Sequence, residues 1–189
     1  MEAQPLTIWT VGHSNRTLED LLRLLEPAGI TLLADVRRFP GSRRHPQFAQ
    51  RALAATLPPA GIRYAHFGDL GGHREPVADS LHTAIREPAF RGYAEHMSTP
   101  DFRSALVQLL ALARENRTAI MCAEARWQDC HRKLLADSLV VAGARVVHLV
   151  PGIAPVEHLL HCDARVVTGA LLYRRPEQLE LGDWSTSKE

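Results

Sequence analysis

The sequence predicts a single three-layer α/β domain over residues 1–189, a mostly parallel sheet of about five strands flanked by helices. Two observations predict it. Short apolar runs of the kind that fit buried strands alternate with segments of helical periodicity, which is the pattern of strands joined by helical crossovers. Nearly all the chemically capable side chains also fall in the turns that follow strands, and almost none in the turns that precede them.

Thr7 to Val11 reads as the first strand, and the helix from Leu18 to Ala28 follows. Thr17 fits its N-cap with Asp20 three residues on, and Gly29 lies just past its end. Thr31 to Val36 is the second strand. Phe48 to Leu57 is helical until Pro58-Pro59 ends it, and Arg63 to Phe67 forms a partly alternating third strand. Gly68 to Pro100 is a long connection rich in Gly and Pro, with one short helix around Phe90 to Met97; such a length inside one domain marks a functional lid or an insertion. Phe102 to Arg114 is the next helix, Thr118 to Met121 the fourth strand, Cys130 to Ala142 the last helix and Arg145 to Val150 the fifth strand. The core therefore spans about 6–151 and an extension 152–189, where Arg165 to Tyr173 around Thr168-Gly169 predicts a terminal hairpin and Asp183 to Glu189 a frayed tail. There is no internal repeat.

With 46% hydrophobic and 23% charged residues, the composition is that of an ordinary soluble globule. Met1 to Pro5 is too short and polar for a secretion signal, and no apolar run approaches the roughly 18 to 20 residues of a membrane span, so the expectation is cytoplasmic with no membrane partner. Cys122, Cys130 and Cys162 are an odd number in a chain too large to need disulfide staples, which favours free thiols. A net charge of +1 excludes nothing, but Arg37, Arg38, Arg43, Arg44 and Arg51 crowd one segment.

Ligands of open α/β sheets bind beyond the carboxyl ends of the strands. Those positions hold Gly12-His13-Ser14-Asn15-Arg16, Asp35 with Arg37-Arg38, Gly68-Asp69-Leu70-Gly71-Gly72-His73-Arg74, and the loop from Cys122 to Arg132. The last puts nucleophile, acid, base and anion-holder types directly before a helix, whose free N–H groups suit an anion or a thiolate. Catalytic candidates are Cys130, Glu124, Cys122 and His13. Substrate-binding candidates are Ser14, Asn15, Asp35, Arg37, Arg43, Gly71, Gly72, His131 and Arg132.

These motifs carry a resemblance. Thr10-Val11-Gly12-His13-Ser14-Asn15-Arg16, Asp35-Val36-Arg37 with Pro40 and Ser42-Arg43, Gly61-Ile62-Arg63-Tyr64, Leu70-Gly71-Gly72, and Cys122-Ala123-Glu124 followed by Cys130-His131-Arg132 together resemble the bacterial and archaeal family called domain of unknown function 488. The resemblance runs from Thr7 to Pro151 and implies site positions rather than a reaction. A weaker likeness is to rhodanese-like and low-molecular-weight phosphatase domains. This chain departs from both, because Gln128 stands where a phosphatase loop beginning at Cys122 carries its arginine, and the loop lacks small residues for tight wrapping.

Each residue also has an ordinary alternative. Cys122 packs as a small hydrophobe or reacts, and Cys130, beside His131 and Arg132, is the better placed thiol. Glu124 serves as acid or base, or pairs with Arg37 or Arg132; Asp35 orients a loop arginine or His13; the arginines grip phosphate or are simply solvated. No cofactor is predicted. His13, Cys122, Glu124, Cys130 and His131 are transition-metal ligand types, but neither a CxxC pair nor an HExxH sequence occurs, and the glycines lack nucleotide-loop spacing. The preferred expectation is an enzyme acting on an anionic small molecule, phosphate-bearing or nucleotide-derived; the alternative is a non-catalytic module that binds nucleic acid or nucleotides. No oligomeric state follows from the sequence.

Overall fold

The computed structural model describes residues 5–175. Five parallel strands form the sheet: β1 (Thr7–Gly12), β2 (Leu32–Asp35), β3 (Arg63–His66), β4 (Thr118–Cys122) and β5 (Arg145–His148). A sixth, β6 (Val156–Glu157), adds antiparallel to β5, giving the order β3-β2-β4-β1-β5-β6. The sequence expectation of about five strands misses β6 because two residues are too few to display any period. β7 (Ala164–Val167) and β8 (Ala170–Tyr173) form the predicted hairpin, with Thr168 and Gly169 at φ 47° and 80° as a two-residue turn of the twist-matching kind requires. The tail expected over Asp183 to Glu189 lies outside the described residues.

The helices are α1 (Leu18–Leu25), α2 (Gln50–Thr56), α3 (Pro88–His96), α4 (Pro100–Glu115) and α5 (Arg132–Val141). Thr17 caps α1 by accepting a 3.1 Å bond from the Asp20 N–H, and Gly29 at φ 60° closes the short 3-10 turn that follows. Sheet pleating sends alternate residues to opposite faces. From β4, Ala119 and Met121 join Leu21, Leu25, Leu53 and Leu57 of α1 and α2 on one side. Ile120 and Cys122 join Tyr93, Leu109, Leu135 and Leu139 of α3, α4 and α5 on the other, and this three-layer sandwich fixes the face on which Cys122 points. No helix among the described residues is long and apolar enough to cross a membrane.

The chain leaves β1 toward β2 and leaves β4 toward β5, so the neighbours β1 and β4 send their connections in opposite directions. Their carboxyl ends therefore open a crevice. The loops stay paired just past the strands: His13 N–H donates to Cys122 O at 2.9 Å and Ser14 N–H to Ala123 O at 2.8 Å. The long connection from Gly68 walls this crevice. Gly71 and Gly72 come against Arg38 and His131, while Tyr93 of α3, fully buried, donates to Leu70 O at 2.8 Å and anchors the wall.

Candidate thiol site

Cys122 ends β4 and Cys130 lies two residues before α5, both buried, with their sulfurs 2.7 Å apart. His131 fixes the protonation pattern around them. Its Nε2 lies 3.1 Å from Val36 O, and a carbonyl only accepts, so Nε2 carries a hydrogen and Nδ1 is left to face Cys130 Sγ at 3.5 Å, accepting the thiol's proton and then donating to the thiolate. Nδ1 is thus a base for the Cys130 thiol. The Arg132 N–H, at the start of α5, lies 3.5 Å from the same sulfur.

Burial by itself raises the Cys130 thiol, but hydrogen bonds from Cys122 and His131 and the positive charge of His131 and Arg132 outweigh it and hold Cys130 well below the ordinary thiol value. Burial and the neighbouring Cys130 push Cys122 the other way. The opposite shifts make Cys130 the readier of the two to ionise and Cys122 its S–H donor.

Arg132 is 1% exposed and makes no salt bridge with a carboxylate among the described residues. Its Nη2 donates to Glu124 O at 2.7 Å and its Nη1 to Thr10 Oγ1 at 3.3 Å. From Thr10 a chain of bonds runs inward: Thr10 to His148 Nδ1 at 2.7 Å, His148 Nε2 to His158 Nδ1 at 3.0 Å, and His158 Nε2 to Asp137 Oδ1 at 2.8 Å. Because Asp137 only accepts, every link donates away from Arg132 and toward the buried carboxylate. Trp127 stacks on His148 at 4.1 Å, and Tyr173 of β8 donates to Asp137 Oδ2 at 2.8 Å. Thr10, Trp127, Asp137, His148, His158 and Tyr173 were missed as site residues. The readable signals were the polar pair Asp137-Ser138 inside an apolar helix and His148 inside an apolar strand.

A second cluster braces the β2 side. Asp35 takes three bonds from Arg37, the backbone N–H at 3.1 Å, Nε at 2.8 Å and Nη2 at 2.5 Å, and one from Tyr64 at 2.7 Å. Arg37 Nη1 reaches His13 Nε2 at 3.2 Å, while His13 Nδ1 donates to Ser14 O at 2.8 Å. Asp35 orients the arginine, as expected of a buried carboxylate. His13 has both nitrogens engaged and its ring stacked on Phe48 at 4.3 Å, so it positions Arg37 rather than presenting a free base to the crevice.

Burial lowers His13 to about 4, and burial with the charges of His158 and Arg132 lowers His148 to about 3. Both lie below the ordinary 6.5, so the unfolded chain binds more protons and stability is lost as pH falls from about 6.5 toward 4 and 3. Thermal unfolding is expected to report a falling midpoint over that window, with a slope of at most about 1.4 kcal/mol per pH unit for each histidine. A midpoint flat from pH 7 to 4 would contradict this.

Two adjoining hollows of about 110 and 200 Å³ open here. The first is lined by Arg37, Arg38, Gly72, Glu124 and both sulfur residues, and the second shares Gly72, Glu124, Cys130 and His131 with it. Wider hollows lie away from these groups, one of about 530 Å³ lined by Leu22, Thr31 and Ala60 at the amino edge of the sheet and one of about 300 Å³ lined by Phe102, Ser138 and Gly169. Glu124 is exposed and gives Arg132 its main-chain oxygen, so the expected ion pair with Arg37 or Arg132 is not formed; Arg37 is taken by Asp35. Asn15 and Arg43 are exposed and line neither hollow, and Ser14, half-buried, bonds Asn15 at 3.3 Å. Of the metal-ligand types named from the sequence, Cys122, Cys130 and His131 meet in succession, at 2.7 and 3.5 Å. Among the described residues, the set of three such ligand atoms within 4.8 Å of one another is His161, Cys162 and Asp163, consecutive residues before β7.

A family model described as Domain of unknown function DUF488 matches residues 17–139, from the cap of α1 into α5. It begins after the His13 loop and ends before β5, leaving His148, His158 and Tyr173 outside. No curated protein and no solved structure matches the chain.

Proposed function

The chain belongs to the DUF488 family, a domain of unknown function, and from that premise we propose that the crevice is a thiol-dependent active site in which Cys130 attacks a small anionic substrate. The observation that carries the reading is the surroundings of one sulfur: Cys130 Sγ has a thiol at 2.7 Å and an imidazole Nδ1 and a helix N–H each at 3.5 Å. His131 takes the proton of Cys130. The thiolate then forms a bond to the electrophilic atom as the bond to the leaving group breaks, and protonated His131 returns its proton to that group. Arg38, exposed on the rim and donating to His73 O at 2.6 Å, and the first N–H groups of α5 hold the anionic part. Asp35 and His13 act at one remove, by fixing Arg37. Hollows of about 110 and 200 Å³ fall below the usual 300–1,000 Å³ of a drug-sized site. They suit a phosphate- or sulfate-sized group better than a whole nucleotide.

Iodoacetamide labelling near neutral pH, read by peptide mass so that exposed Cys162 is scored separately, tests this directly. Cys130 is expected to react about tenfold or more faster than Cys122, and phosphate or sulfate to slow it. Equal, sluggish labelling of both loop cysteines, indifferent to anions, would make them packing residues. Strongly salt-dependent binding of DNA or RNA that survives changing both to Ala would instead favour the non-catalytic module.

A further inference from the structure

We infer that Cys122 and Cys130 are a redox pair, closing to an intramolecular disulfide as the site reduces a small peroxide and reopening at the expense of a low-molecular-weight thiol. The inference rests on Cys130 being the nucleophile of the reading above and gives that sulfur a second, uncharged substrate and a partner sulfur. Four features support it.

The sulfurs lie 2.7 Å apart, only about 0.7 Å beyond a covalent S–S bond, so closure needs little more than side-chain rotation. The two are also chemically unequal, as such an exchange requires: one is held as thiolate by His131 and Arg132, while the other keeps its proton. Both line the same small hollow, about 110 Å³, which has room for a small peroxide beside the two sulfurs. Finally, Cys162 is exposed, whereas these two are shielded from partner proteins by burial, which favours pairing with each other.

The steps balance. The Cys130 thiolate attacks one peroxide oxygen; the O–O bond breaks, an S–O bond forms, and the departing oxygen takes a proton from protonated His131, leaving a sulfenic acid and an alcohol or water. The Cys122 thiol, its proton passing to the sulfenic oxygen, attacks Cys130; an S–S bond forms, the S–O bond breaks and water leaves. Two thiols have given two electrons and the peroxide has accepted them. Two molecules of a small thiol then restore the pair by exchange and leave as their own disulfide. The reduced state is favoured by the charge near it, since oxidation removes the thiolate beside buried Arg132. A disulfide whose dithiol is so stabilised is easily reduced.

The full chain, freshly reduced, is exposed to hydrogen peroxide without denaturant, blocked with N-ethylmaleimide and mapped by mass. The expected result is a Cys122–Cys130 linked peptide, formed about tenfold or more faster than Cys162 oxidises and reversed by a small thiol. In Cys122→Ser, Cys130 is expected to stop at a sulfenic acid that dimedone captures. Over-oxidised Cys130 with Cys122 still open to maleimide, or no oxidation of either, would overturn the pairing. Fast iodoacetamide labelling of Cys130 without disulfide formation would overturn the redox pair yet leave the nucleophile standing. Failure of both reactions would remove the two together.

Discussion

Replacing Arg132 by Met is expected to slow alkylation of Cys130 near neutral pH by about tenfold or more and to cost roughly 3 kcal/mol of stability. The guanidinium is a buried cation between two thiols and a carboxylate chain, and the cysteines raise its own affinity for a proton against the pull of burial. Without it the Cys130 thiolate loses a permanently charged neighbour that acts beside His131, and one unit in its pKa is a factor of ten in thiolate once the value passes ambient pH. Glu124 O loses a donor, and the Thr10 to Asp137 chain loses the cation at its head. Arg132→Lys keeps a charge but not the fork that spans Glu124 O and Thr10 Oγ1, so it should restore reactivity in part and stability little. Peptide-resolved labelling rates with urea unfolding would check both halves; a Met variant that labels at the native rate would detach Arg132 from the thiol.

The second large effect is expected at Gly12. A Cβ built there would stand 1.7 Å from Glu124 O and 2.9 Å from Arg132 Nη2, so the loops after β1 and β4 touch through backbone alone. Gly12→Ala must push the Glu124 peptide away, breaking its bond from Arg132 and straining the pairing of His13 with Cys122 O. A cost of about 3 kcal/mol is expected, at the upper end for overpacking. Gly41→Ala, where nothing lies within 4 Å of the new carbon, should be nearly neutral in the same assay. Equal unfolding midpoints for the two variants would show that the contact does not constrain the loops.

Both sites follow from what was legible in the sequence, and their limits follow from what was not. The rule that ligands meet the carboxyl ends of parallel strands placed Gly12 to Arg16, Asp35 to Arg38, Gly71-Gly72 and Cys122 to Arg132 together, because it depends only on strand direction. The placement of α1 followed from Thr17 and Gly29, whose chemistry is local. What the sequence concealed is long-range. Arg132 looks like a surface anion-holder until α5 is docked, and its burial depends on packing against β1 and β4. His158 belongs to an extension with no pattern of its own, and meets His148 and Asp137 only once β6 has paired with β5. The Glu124 ion pair failed for a simpler reason: its backbone oxygen, not its carboxylate, is what Arg132 binds.

The donor chain from Arg132 to Asp137 also sets the smallest piece of this protein that can be transplanted. Family resemblance stops inside α5, yet Asp137 is completed by His158 and by Tyr173 at the end of the hairpin, and the Ala84 N–H in turn donates to Tyr173 O at 3.1 Å. A fragment trimmed to the family boundaries would keep both loop cysteines and discard His158 and Tyr173, the donors that hold Asp137 of α5. Fusion junctions and excision points therefore belong after Arg174, not at the end of the family match. The hairpin is part of the body that holds the two loop cysteines, although its sequence gives no sign of chemistry.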